Sequence, residues 1–168
     1  MESLKLRMTT DYPEHGKVMI KLEETSKQPL TINLRRPAWA TGDVTIRING
    51  SKQKVESIPG SFINLHRKWK KNDVIELVLP MPLYTVSMPD NVDRRAVFYG
   101  PTILAGTFGT EKRKMGDIPV FVSEEKSLTN YIKKTSDTPV NFVTTLPGGP
   151  DNVKMLPFYK VADDNQTV

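Results

Sequence analysis

Val44-Thr45-Ile46-Arg47-Ile48-Asn49-Gly50 is the stretch on which the fold turns. Val44, Ile46 and Ile48 alternate with Thr45 and Arg47, and a period of two places them on one face of a strand. Asn-Gly directly after such a run is a strong hairpin signal, because a type I′ turn needs positive φ at both central residues. The return strand is expected to run through Gln53 to Glu56.

The same alternation extends outward in both directions. Leu4, Leu6 and Met8 alternate with polar residues, and after a turn through Asp11 to Gly16 so do Val18, Ile20 and Leu22. Leu30, Ile32 and Leu34 repeat the pattern, and Phe62 to His66 and Val74 to Leu79 make two further strands. One buried and one wet face per strand suits an antiparallel sheet. Pro80-Met81-Pro82 cannot lie inside a sheet, so the chain turns or runs along an edge there. Arg95 to Tyr99 and Thr102 to Ala105, joined by Gly100-Pro101, are the most apolar region and are expected in a central core. Many short strands separated by turn residues predict a mainly β fold, an antiparallel β-sandwich with a jelly roll as one form of it.

The texture changes after residue 109. Thr110 to Asp117 reads as a loop and Val120-Phe121-Val122 as a short strand. Ser123 followed by Glu124 and Glu125 resembles a helix start, and Leu128, Tyr131 and Ile132 share one helical face, which predicts one short helix over 124–133. Asn141 to Val143 reads as a strand, Leu146 to Pro150 as a loop and Leu156 to Val161 as an extended segment. The expected division is a sandwich core over 1–109 and an extension over 110–168 packed on it.

The 168 residues, 38% hydrophobic and 26% charged, describe a globular chain rather than a disordered one. No stretch approaches the roughly 18 apolar residues of a membrane span, and a membrane partner is not expected. With no cysteine, the chain holds no disulfide, thiolate nucleophile or Cys-based zinc site. His15 and His66 lie far apart and make a poor metal set, so no metal or other cofactor is expected. The net charge of +5 falls on residues 1–84, with 14 Lys/Arg against 9 Asp/Glu; residues 85–168 have 10 of each.

Few residues point to chemistry. Glu23/Glu24 point to opposite faces if they lie on a strand, Glu124/Glu125 fit a helix start, and Asp163/Asp164 lie near the end of the chain, so no catalytic pair emerges. His66-Arg67-Lys68-Trp69-Lys70-Lys71 places an aromatic inside a basic cluster, the combination that single-stranded nucleic acid needs. A strand connection with Trp69 packed on the sheet explains it better, because no nucleic-acid-binding motif accompanies it, so a nucleic-acid partner is not expected. In Arg35-Arg36-Pro37-Ala38-Trp39-Ala40, Trp39 is either a sugar-stacking platform or a plug at the end of the sandwich. Trp39 and Trp69 are the candidate carbohydrate-binding residues.

The order of these segments resembles a known family. Leu34 to Ala40 followed by Val44 to Gly50 resembles its "LRIPAW … V.VNG" passage, and Pro59 to Phe62 resembles "PG.Y". Trp69 to Leu77 resembles "W..GD.I.L", with Asn72 where Gly is usual, and Leu79 to Pro82 resembles "LPMP". Ala96 to Pro101 resembles "VA…GP", and Met155 to Val161 resembles "L.PFY.I". These passages are similar to the non-catalytic β-sandwich region of glycoside hydrolase family 127-like proteins, which include β-L-arabinofuranosidases.

The resemblance implies an (α/α)6 catalytic barrel N-terminal to this region, with a zinc-bound cysteine nucleophile. None of those residues carries over to a chain without cysteine. It implies a piece of a longer bacterial protein: an accessory, non-catalytic module that packs on the barrel of its parent, a periplasmic or extracellular enzyme acting on plant-type L-arabinose-containing glycans. The alternative is an independent carbohydrate-binding module, and a basic nucleic-acid-binding domain comes third.

Overall fold

The computed structural model describes residues 4–108, 127–145 and 152–161. The chain divides into two compact units, Met1–Pro82 and Leu83–Val168. The strands of the first are β1 (Lys5–Thr10), β2 (Lys17–Glu24), β3 (Leu30–Arg35), β4 (Thr45–Ile48), β5 (Ser51–Gln53), β6 (Phe62–Arg67) and β7 (Val74–Val78). They form a five-stranded sheet in the order β1-β2-β7-β4-β5 and a two-stranded sheet, β3-β6, with every pair antiparallel.

The alternation in sequence becomes the core. Val18, Ile20 and Leu22 of β2, Ile46 and Ile48 of β4, and Ile75 and Leu77 of β7 lie side by side, with Ile20 opposite Ile75 and Ile46 opposite Leu77. Ile32 and Leu34 of β3 and Ile63 and Leu65 of β6 complete the same buried cluster. Each fully buried aliphatic side chain contributes roughly 1.5–3 kcal/mol, and Leu22, Ile46, Ile63 and Ile75 are wholly enclosed. The outer face of the large sheet carries ion pairs instead: Glu76 meets Arg47 at 3.0 Å and Lys17 at 3.8 Å.

The Asn-Gly hairpin forms as the pattern requires. Asn49 has φ 50°, Gly50 has φ 83°, and Ile48 pairs with Ser51. The return strand is earlier and shorter than Gln53 to Glu56, because a two-residue loop sets Ser51 opposite Ile48. After Gln53 the chain leaves the sheet, and both Ser57 oxygens accept from Arg36. Asn72 has φ 69°, which explains why glycine is usual there in the resembling pattern: only Gly, Asn and Asp visit this region readily.

Among the described residues, the second unit carries one six-stranded antiparallel sheet. Its strands are β8 (Leu83–Ser87), β9 (Arg95–Tyr99), β10 (Thr102–Thr107), β11 (Ile132–Asp137), β12 (Val140–Thr144) and β13 (Lys154–Pro157), ordered β11-β12-β13-β10-β9-β8. Leu104, Ile132, Val140, Phe142 and Met155 form its core, and the Tyr99 ring meets Phe142 edge to face at 5.1 Å.

Two expectations change here. The division falls between Pro82 and Leu83, not after residue 109, because β10 pairs with β9 on one side and β13 on the other. Strands on both sides of residue 109 thus share one sheet, and Pro80 and Pro82, with no N–H to donate, lie at the end of the first unit. The helix over 124–133 is not found. Residues 124–126 lie outside the described residues, Leu128–Tyr131 is one 3-10 turn, and Ile132 opens β11 opposite Thr144. Sheet pairing and burial of Ile132 override the helical spacing. The expected Val120–Val122 strand, the 110–117 and 146–150 loops and the pairs Glu124/Glu125 and Asp163/Asp164 also lie outside the described residues.

Candidate functional site

Trp69, a candidate sugar platform from sequence, is 2% exposed. Its indole Nε1 donates to the Leu30 carbonyl at 3.1 Å, and the Arg67 guanidinium lies over its ring at 5.2 Å. A ring so enclosed cannot be offered to a pyranose or stack a nucleobase. Trp39 is half-buried and packs against the first unit's core. Trp69 is therefore a packing residue, while Trp39 keeps part of its surface exposed.

The Arg-Pro-Ala-Trp-Ala segment is held from beneath by Arg36, which is buried. Its Nε and Nη2 donate to the Ala40 carbonyl at 3.0 and 2.9 Å, and Nη2 also reaches Gly42 O at 2.8 Å. Nη1 donates to Ser57 O at 2.6 Å and Ser57 Oγ at 3.0 Å. The backbone joins in, with Arg36 N–H donating to Ser61 O and Gly60 N–H to Arg36 O. The motif is a structural clamp.

Two carboxylates, Glu23 and Asp73, are similarly occupied. Glu23 accepts from Arg7 at 2.6 Å and pairs with Lys5 at 3.3 Å, and these bonds hold its carboxyl below the usual range. Asp73 is buried, accepting from Asn49 Nδ2 at 2.8 Å and Lys70 N–H at 2.9 Å. Burial alone would raise the Asp73 pKa; those two bonds, with the Arg67 and Lys70 charges, more than offset it and leave it lowered.

A carboxylate more acidic folded than unfolded stabilises the fold above its unfolded pKa, and that contribution is lost as pH falls through the folded value. The first unit should therefore lose stability as pH drops below about 4. Asp73→Asn is expected to cost about 2 kcal/mol at neutral pH, by weakening bonds to a charged acceptor, and to flatten that acid limb. Urea melts between pH 3 and 7 check both; an unchanged acid limb would remove Asp73 from this role.

The described residues leave one open groove of interest, about 520 Å³, beside the free edge of β6 and the chain that leaves β5. Lys54, Arg67, Lys68, His66, Gln53 and Asn64 supply its polar lining, with Ile48, Val55 and Leu65 at its apolar part. No carboxylate lines it. His66 Nδ1 is bonded to Thr31 Oγ1 at 2.8 Å, across the β3-β6 pair. On the same outer face Asn33 stands opposite Asn64 and Arg35 opposite Phe62, whose ring lies 4.9 Å from the Arg35 guanidinium. Sequence reasoning missed this groove because its residues come from two segments joined only by folding. The basic run His66 to Lys71 and the positive excess over residues 1–84 were the signals of it. Among the described residues no three His, Asp or Glu side chains converge as metal ligands would.

Comparison with known proteins adds the family context. Residues 1–81 match the family model described as the beta-L-arabinofuranosidase GH127 middle domain, almost the whole of the first unit. No curated protein matches the chain in sequence. Three solved structures share the fold over nearly its full length. A glycoside hydrolase superposes with TM-score 0.71 at 20% identity, covering 98% of this chain and 31% of its own. A GH127 beta-L-arabinofuranosidase from Geobacillus stearothermophilus T6 gives 0.72 at 18% identity, with 99% and 30% covered. A further GH127 beta-arabinofuranosidase gives 0.68 at 19%, with 98% and 30% covered. The chain thus spans about a third of the length of the solved proteins it resembles. By its first 81 residues and by its fold, the chain is similar to the β-sandwich region of glycoside hydrolase family 127-like proteins, the first unit corresponding to their middle domain.

Proposed function

We propose that this chain is an accessory, non-catalytic module of a multidomain glycoside hydrolase that acts on L-arabinose-containing glycans. The observation that carries this reading is the coincidence of the middle-domain match, residues 1–81, with a unit that folds as Met1–Pro82. The chemistry agrees: Glu23 and Asp73 are tied up in structural bonds, and no cysteine is available as nucleophile or zinc ligand. The module's partner is the catalytic barrel of the same parent. Export to the periplasm or beyond follows from a polymeric glycan substrate.

A surface suited to that partner lies on β1. Leu6 and Met8 stand opposite Leu22 and Ile20, on the core-side face of the sheet, yet they are 44% and 64% exposed. Leu4, just before the strand, is also 44% exposed. The alternation of β1 calls for burial, and an apolar stripe left open on an edge strand fits a docking surface for the barrel.

The test mixes the chain with a separately expressed GH127 catalytic barrel. Co-elution on gel filtration is expected, and Leu6→Asp with Met8→Asp should weaken it at least tenfold, with the variant's circular dichroism unchanged. Unaltered association by that variant would overturn the surface. Turnover of p-nitrophenyl β-L-arabinofuranoside by the chain alone would overturn the non-catalytic role.

A further inference from the structure

We infer that the groove between β6 and the segment after β5 binds an acidic oligosaccharide, one carrying uronic acid carboxylates among its hydroxyls. This rests on the glycan-directed reading above and names a ligand class for a site that reading does not use. The volume, about 520 Å³, is in the range of small-ligand sites. Its lining is unlike the mostly apolar wall of such sites. Lys54, Arg67 and Lys68 bring three cations to one concavity that no carboxylate lines. Gln53, Asn64 and His66 add side chains able to bond hydroxyls from both directions.

Arg67 is the anchor of the site. Its guanidinium rests on the enclosed face of Trp69, and Trp69 is itself held by its bond to Leu30 O, so the fork is already placed before a ligand arrives. A planar guanidinium suits a carboxylate through two parallel hydrogen bonds. Lys54 and Lys68 are exposed and act as point charges at the rim. Asp73 senses the Arg67 charge, but its oxygens are spent on Asn49 and Lys70, so it does not close the fork.

The same geometry argues against the other classes of ligand. A neutral sugar is gripped by aromatic stacking, and the one aromatic ring at the basic cluster lies beneath Arg67 at 2% exposure. Single-stranded nucleic acid needs that ring for its bases. The groove's exposed lining side chains, Lys54, Asn64, His66, Arg67 and Lys68, offer charge and hydrogen bonding, which a carboxylated sugar answers.

Calorimetric titration of the intact chain tests this with three probes: tri-galacturonic acid, neutral arabinotriose, and a six-nucleotide oligothymidylate. Tri-galacturonic acid should bind at least tenfold more tightly than arabinotriose, and 0.5 M NaCl should weaken it severalfold. Lys54→Glu with Lys68→Glu should weaken it at least tenfold. Lys133→Glu with Lys154→Glu, the same charge change at exposed positions of the second unit, should leave it within twofold. Equal loss in both double variants would reduce the effect to net charge and overturn the site. Binding of oligothymidylate without tri-galacturonic acid would replace it with a nucleic-acid surface, and no binding of the acidic sugar at millimolar concentration would also overturn it. The barrel-association experiment reads the parent role separately, so any of these failures falls on the groove alone.

Discussion

Arg36→Ala will cost the first unit about 3 kcal/mol or more, measured as a shift of the urea midpoint at constant slope. The reason lies in the accounting of polar groups. Arg36 makes five hydrogen bonds, all to neutral oxygens, and so satisfies the carbonyls of Ala40, Gly42 and Ser57 from one buried fork. Alanine leaves those acceptors short of donors and removes a buried side chain. Bonds from a charged donor contribute roughly 1.5–3 kcal/mol each in isolation but are not additive, so about 3 is a floor rather than a sum.

Arg36→Lys keeps the charge but loses the fork, since one ammonium cannot span three separated oxygens. It should recover less than half of the loss. With only Trp39 and Trp69 in the chain, fluorescence reports directly on this unit, and Trp39 emission should shift to the red in the alanine variant. Full rescue by lysine would mean that the charge, not the geometry, holds the loop.

Gly16→Ala will be comparably damaging, again about 3 kcal/mol or more. A Cβ placed on Gly16 would stand 2.1 Å from the Leu79 carbonyl oxygen and 3.0 and 3.3 Å from the Leu79 C and N atoms. All three are backbone, so no side chain can swing aside. The same approach is stitched by the Leu79 N–H donating to Gly16 O at 2.9 Å, and Leu79 is buried in the core. Moving Leu79 would therefore break a bond and unseat a core side chain together.

Gly50 offers the contrast. Nothing lies within 4 Å of its Cβ position, but its φ is +83°, so Gly50→Ala should cost only about 1–2 kcal/mol of backbone strain. Thermal melts of the two variants side by side check the ordering. If Gly50→Ala proves the more harmful, conformational strain rather than steric contact governs these glycines.

Those two glycines mark where sequence reading works and where it stops. Gly50 is legible because Asn49-Gly50 follows an alternating run, and the requirement for positive φ is local. Gly16 reads equally as a turn residue, but what forbids a side chain there is Leu79, sixty-three positions away, and no local pattern announces that approach. Trp39 and Trp69 repeat the lesson. Their residue type suits a sugar platform or a core plug alike, and only the neighbours at Leu30 and Arg67 make Trp69 a plug.

Alternation of apolar and polar residues, the Asn-Gly turn and the prolines at 80 and 82 determined by themselves that the chain is built of short antiparallel strands. The order of its motifs pointed to the sandwich region of the GH127-like proteins. These features act over two to seven residues, through backbone sterics and the period of a strand. Tertiary structure alone decided which strands share a sheet, and so that the units part at Pro82 rather than near 109. It also converted a helix-like spacing at Leu128 to Ile132 into a 3-10 turn and a strand, left the apolar side of β1 open, and gathered Lys54, Arg67 and Lys68 around one groove. The physical reason is common to all of them. Burial and pairing are settled between residues distant along the chain, and they outweigh the local preferences that a sequence displays.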